Sequence, residues 1–164
     1  MDAYVGFEGY TLPSGFIYKE LTIIYTNGEY SHYIFEKPDN IMLSPQDQKT
    51  VRYATRHLNS INYGDGDIPY KQLGAILSKL EDCTIYTYSE IATKLIQKLL
   101  PTTVVINTQD LGLKLSKQLP DPDCFRIHIN YRYCAKAKAL SVKDFIEKYE
   151  QNSGSVDVQG AEQF

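Results

Sequence analysis

Cys124, His128 and Cys134 fall within eleven residues of one another in the run DCFRIHINYRYCAKAKAL. Two thiolates and an imidazole suit a tetrahedral zinc ion, which takes four ligands in a closed structural site. Glu20, in FIYKELTIIY about a hundred positions earlier, is the candidate fourth. A single zinc bound by Glu20, Cys124, His128 and Cys134 would staple an early strand to the last helix. It would also leave no open position for a catalytic water. Without a metal, the same residues read as two half-buried thiols beside a surface histidine. Cys-x3-His-x5-Cys is not a common finger spacing.

The elements that must carry these residues are legible in outline. Ala3 to Tyr10 reads as a strand, and Leu12-Pro13-Ser14-Gly15 supplies turn chemistry. Phe16 to Tyr25 reads as a second strand, Asn27-Gly28 as a tight hairpin turn and Tyr30 to Glu36 as a third strand. Ser44-Pro45 is a helix start, with serine as cap and proline at the first position, and predicts a helix over Gln46 to Leu58. Val51, Ala54, Thr55 and Leu58 would share its inner face. Asn62 to Asp67 reads as a loop. Its Asp65-Gly66-Asp67 cluster lacks the spacing of a calcium site and is taken as a polar turn. A helix of about ten residues should follow Ile68-Pro69 and end near Leu80.

From Cys83 the pattern becomes strand–helix–strand. Thr84 to Tyr88 is a short strand, and Ser89 caps a helix over Glu90 to Leu100 with Ile91, Leu95 and Leu99 on one face. Thr102 to Asn107 is β-branched and apolar, as a buried parallel strand should be, which implies a right-handed crossover. Asp110 to Leu119 reads as a short helix and Pro120 to Asp123 as a rigid acidic turn. The last helix is expected over Ala135 to Tyr149, with Ala139, Val142, Phe145 and Ile146 as its apolar stripe. Residues 1–150 therefore read as one domain, and 151–164 as a polar, disordered tail.

Composition sets the outer bounds. The chain has 164 residues, 43% hydrophobic and 23% charged, ordinary values for one globular domain. No apolar run reaches the roughly 18 residues of a membrane span, and the first residues do not have the pattern of a secretory signal. Three cysteines, an odd number, argue against a disulfide framework and for a reducing compartment, cytoplasmic or nuclear. A net charge of −3 excludes a generally basic nucleic-acid binder, so any such binding needs a local patch. Fourteen tyrosines and no tryptophan fit half-buried strand residues with wet hydroxyls, or a stacking surface for single-stranded nucleic acid.

Antiparallel hairpins, then a βαβ unit and a closing helix, make an α/β fold around a mixed five-stranded sheet flanked by helices. That order is the ribonuclease H-like arrangement used by two-metal nucleases. Such an enzyme needs several carboxylates converging on paired Mg²⁺ ions. Proofreading-type exonucleases carry Asp-x-Glu on the first strand. Here the stretch is Val5-Gly6-Phe7-Glu8, with the glutamate kept and the aspartate replaced by glycine. The middle helix has Glu90 at its mouth and no aspartate within it. Lys136 and Lys138 stand where an acid should follow His128. One carboxylate cannot hold two magnesium ions, whereas thiolates in place of hard oxygen ligands favour zinc.

A ribonuclease H-like pattern that has lost its acids and carries Glu…Cys…His…Cys resembles the Maelstrom domain of the piRNA pathway. Two stretches carry the resemblance: KELTIIYTNGEYSHYIFEKP, with Glu20 at the metal-ligand position, and CFRIHINYRYCAKAKAL, with Cys124, His128 and Cys134. VGFEGY also resembles the opening strand of arthropod and mobile-element proteins. The Maelstrom resemblance implies a zinc-stabilised module that binds single-stranded RNA, or protein partners, in small-RNA silencing of transposons. Arg52, Arg56, Arg126, Arg132, Lys136 and Lys138 would then hold phosphates, and Tyr131 and Tyr133 would offer stacking faces. The enzymatic alternative is an active or residual single-strand ribonuclease or exonuclease, either with residual acidic chemistry through Glu8 or with the metal-independent cleavage that the same resemblance implies. A protein-interaction scaffold encoded by a virus or mobile element is the third reading.

Overall fold

A computed structural model describes residues 1–115 and 133–163 of the chain, with side chains as far as residue 152. Its centre is a mixed five-stranded sheet flanked by helices. The strands are β1 (Asp2–Leu12), β2 (Gly15–Tyr25), β3 (Tyr30–Ile34), β4 (Thr84–Thr87) and β5 (Val105–Asn107). Their spatial order is β3-β2-β1-β4-β5. The first three form an antiparallel meander, and β4 and β5 add in parallel beside β1. Helices α1 (Pro45–His57), α2 (Leu73–Ser78), α3 (Glu90–Leu99) and α4 (Ala135–Gln163) complete the fold.

Local chemistry explains most boundaries. The Ser44 side chain accepts a hydrogen bond from Asp47 N at 3.0 Å, and Pro45 occupies the first helical turn of α1. Ser89 caps α3 in the same manner, accepting from Ala92 N at 3.2 Å. Asn27-Gly28 makes the β2–β3 turn with glycine at a φ of 89°. The helix expected after Pro69 begins as a 3₁₀ turn over Tyr70–Gln72 before α2. The expected helix over Asp110 to Leu119 is a 3₁₀ turn, Thr108–Leu111, in its described part. Gly112, in the left-handed conformation, stops it. Helix α4 runs past Glu150 into the segment expected to be a polar tail.

Alternation along β1 divides the core. Ala3, Val5 and Phe7 pack with Leu21, Ile23 and Ile85 against α2 and α3. Tyr4 faces the other way and meets Ala139, Val142 and Ile146 of α4. Burying each large aliphatic side chain stabilises by about 1.5–3 kcal/mol. In α3 the buried side chains are Ala92 and Ile96, with Leu100 just beyond, while Ile91 and Leu99 are exposed. Leu95 of the expected face is half-buried against the same core, and the fully buried row lies one residue further on. The α1 and α4 stripes fall as expected, with Phe145 and Leu58 at their margins.

Helix α4 lies unusually close to β1 at Gly6. A Cβ at that position would collide with the Ala135 carbonyl oxygen and sit 2.9 Å from Ala139 N. Both obstacles are backbone, so neither can rotate away. Gly6→Ala should therefore destabilise the chain by about 3 kcal/mol, lowering the thermal midpoint by about 6–12 °C. A circular-dichroism melt superimposable on that of the wild type would show that α4 does not dock on Gly6.

Candidate functional site

Glu8 and Glu20 are directly opposed across the β1–β2 ladder. Both are buried, at 5% and 0% exposure. Like charges directly opposed on a sheet repel, and a buried carboxylate is costly unless paired and hydrogen-bonded. The first turn of α4 meets both needs. The Ala135 N–H donates to Glu20 Oε1 at 2.7 Å, and His32 Nε2 on β3 contacts Glu20 Oε2 at 2.8 Å. Lys138, one turn into α4, forms an ion pair with Glu8 Oε1. Burial pushes the Glu8 carboxyl up to about 7; Lys138 acts against this shift and Glu20 adds to it.

Glu8 lies at the floor of a cleft of about 290 Å³ where β1 continues beyond the end of β4. This is the carboxyl end of parallel strands, where open α/β sheets commonly take ligands. Phe7, Phe16, Tyr53, Leu58, Ile91 and Tyr133 give it apolar and aromatic walls, and Lys138 and Ser89 add polar groups. Ser89 has a φ of 103° and ψ of 150°, a region essentially reserved for glycine that costs about 1–3 kcal/mol. Its N–H donates to Asn107 Oδ1 at 3.0 Å, which ties this strained corner to the end of β5.

A larger open groove of about 620 Å³ lies along α1 and the loop after it, lined by Arg52, Tyr53, Arg56, His57, Asn62 and Tyr63, among others. Tyr53, 60% exposed, lines both the groove and the cleft. The loop is held from below. Tyr10 donates to the Ile61 carbonyl at 2.6 Å, and Thr55 donates to the same oxygen at 3.1 Å. Lys19, the extra residue of a β-bulge opposite Glu8 and Gly9, is 1% exposed. Its ammonium donates to the carbonyls of Phe35 (2.8 Å), Tyr63 (2.7 Å) and Asp65.

The residues singled out in the sequence distribute unevenly over this frame. Glu20 and Cys134 come together, because Cys134 is buried immediately before the Ala135 amide that Glu20 caps. Cys124, Arg126, His128, Tyr131 and Arg132 lie outside the described residues. Among the described residues no group of three or more histidine, cysteine, aspartate or glutamate side chains is placed to hold a metal ion. A carboxylate offers about four acceptor positions in all, so the hydrogen bonding of Glu20 is compatible with metal ligation. The Glu20 carboxylate thus reaches the backbone next to Cys134, one other expected zinc ligand.

The described ones among the expected RNA contacts fall in three places. Arg52 and Arg56 share the α1 groove, Tyr133 and Lys138 belong to the cleft, and Lys136 lies 4.1 Å from the centre of the Tyr30 ring. Glu90 is exposed and paired with Lys94, which lowers its pKa; it lines a separate depression with Asp110. Sequence reasoning missed His32 and Lys19. The only available signal was a histidine and a lysine inside strand patterns, since their partners are set by register and by remote loops.

No helix among the described residues is long and apolar enough to cross a membrane. No known family model, curated protein or solved structure matches the chain.

The pH dependence of stability follows from Glu8. Its folded pKa is raised above the ordinary 4.5, so the folded chain binds a proton that the unfolded chain releases. The resulting stabilisation is complete below the ordinary value and is lost as pH rises through about 7. Melts from about pH 5 to about pH 8 should show a falling midpoint, and Glu8→Gln should flatten that fall. An equally steep fall in the variant would assign the dependence to other groups.

Proposed function

We propose that the chain is a non-enzymatic, single-stranded-RNA-binding module with a ribonuclease H-like architecture, acting in small-RNA silencing as the Maelstrom resemblance implies. One observation carries this reading. Glu8, the one carboxylate lining the cleft among the described residues, is buried and paired with the Lys138 ammonium. A fixed cation therefore occupies the neighbourhood where a two-metal nuclease would place magnesium. The strand order, with three antiparallel strands followed by two parallel ones, supports the architectural part. The aromatic cleft and the adjoining arginines support the RNA part.

The same reading includes one structural zinc held by Glu20, Cys124, His128 and Cys134. The meeting of Glu20 with the start of α4 supports it. When bound, such an ion contributes folding energy and no chemistry. Elemental analysis of the purified chain should find one zinc per chain, with Cys134→Ser reducing it to near zero and lowering the melting midpoint. A stable wild-type protein devoid of metal would remove the zinc from this reading and leave the Glu20–Ala135 hydrogen bond to hold the junction.

A second reading has its own observation. A cleft carboxyl with a pKa of about 7 is poised for proton transfer near neutral pH, as a ribonuclease acting without metal would require. The two separate cleanly. The binding module should retain fluorescently labelled single-stranded RNA, more weakly as salt rises, and leave it uncut with or without Mg²⁺. Cleavage that Glu8→Gln abolishes would establish the enzyme instead.

A further inference from the structure

We propose that the α1 groove and the cleft form one bipartite site, in which Arg52 and Arg56 hold phosphate while a single unstacked base enters the cleft past Tyr53. The inference rests on the RNA-binding reading above and specifies how the strand lies.

Charge is the first ground. Arg52 and Arg56 are both exposed and lie one helical turn apart, so their side chains project as neighbours about 5–6 Å apart at Cβ. Among the described residues neither forms an ion pair and no acidic residue lines the groove. In a chain of net charge −3, an unneutralised arginine pair is a local exception. Guanidinium forks match phosphate oxygens bidentately. Of the other basic candidates, the two among the described residues are committed elsewhere, Lys138 to Glu8 and Lys136 to the face of Tyr30.

Rigidity is the second ground. The opposite wall, Asn62 and Tyr63, belongs to the loop held by Tyr10, Thr55 and the buried Lys19 ammonium, so the groove is preorganised.

Size and shape are the third. At about 290 Å³ the cleft is at the lower limit of small-ligand pockets, room for one base and not for a folded strand. Tyr53 stands between the two compartments. Its ring is backed by His57, with centroids 4.8 Å apart, and its exposure leaves it open to stacking. A single-stranded nucleotide presents the matching pair of features, a charged phosphate joined to a flat base.

The test is fluorescence anisotropy with a single-stranded oligouridine RNA of about 10 nucleotides, across about 50–200 mM salt. Arg52→Ala/Arg56→Ala should weaken binding about tenfold or more and reduce the log–log salt slope by about 1.4, as the loss of two phosphate contacts requires. Tyr53→Ala should weaken binding about tenfold with the slope unchanged, the signature of lost stacking. All three side chains are exposed, so melts of both variants should match the wild type. A probe with a 5′-phosphate that binds more tightly than one with a 5′-hydroxyl would identify the bound group as the terminal phosphate. Equal binding of the two would identify it as the backbone. Wild-type affinity and slope in the double arginine variant would overturn the bipartite site while leaving RNA binding intact. A wild-type chain that does not bind the probe would overturn both.

Discussion

Two buried carboxylates face each other across the central strands, and the remainder of the molecule is arranged to make that tolerable. Glu8 and Glu20 occupy opposed positions on β1 and β2, where mutual repulsion and loss of water both favour expulsion. The answer comes from the start of α4. An amide at a helix start is one of the donors that the helix itself cannot satisfy, and the positive end of its dipole favours an anion there. Ala135 directs that amide at Glu20, and Lys138 brings its charge to Glu8. The absence of a side chain at Gly6 lets the helix come near enough to do both. Removing any one partner would leave an uncompensated buried charge, which is far costlier than the intact pair is favourable.

A second fixed charge stands one residue from Glu20, at the bulge in β2. The bulge in β2 diverts Lys19 out of the β1–β2 ladder, and its ammonium gathers three carbonyls from two separate stretches of the chain, Phe35 and the loop of Tyr63 and Asp65. Gly66 belongs to the same assembly, since a Cβ there would strike the backbone of Phe35 and Glu36. Through this clamp the loop after α1 is fixed, and with it the wall of the basic groove. Ser14, in the β1–β2 turn, donates to Asp47 at 2.9 Å and holds the other end of α1. The cleft is thus bounded by elements anchored at different points, which accounts for an exposed Tyr53 on an otherwise well-secured helix.

Much of the architecture was legible because its signals are local. Ser44-Pro45, Ser89 and Asn27-Gly28 each act within a few residues and each marks a boundary found in the structure. Strand alternation in β1 and β2 gave the meander, and the strand–helix–strand after Cys83 gave the parallel pair. The α3 face was misread because Ile91, Leu95 and Leu99 are spaced as regularly as Ala92, Ile96 and Leu100. Periodicity cannot choose between two apolar rows when a small alanine marks the buried one. The site was less legible for a different reason. Glu20 and the Ala135 amide are 115 positions apart, and Lys138 and Glu8 further still, so no window of sequence contains both members of either pair. Glu20 was singled out as a metal ligand, and its role as the cap of α4 emerges only from the tertiary arrangement.

The distance between those partners also sets an order of events in synthesis. The β1–β2–β3 meander is complete by Ile34, yet the helix that neutralises its carboxylates begins only at Ala135. A nascent chain emerging from N- to C-terminus therefore carries a sheet whose α4-facing surface holds two charges and no cover. Those charges keep the surface wet and discourage pairing with other chains, as inward-pointing charges do on exposed strands. The groups most expensive to bury in the finished protein are, during its manufacture, the ones that guard the unfinished face.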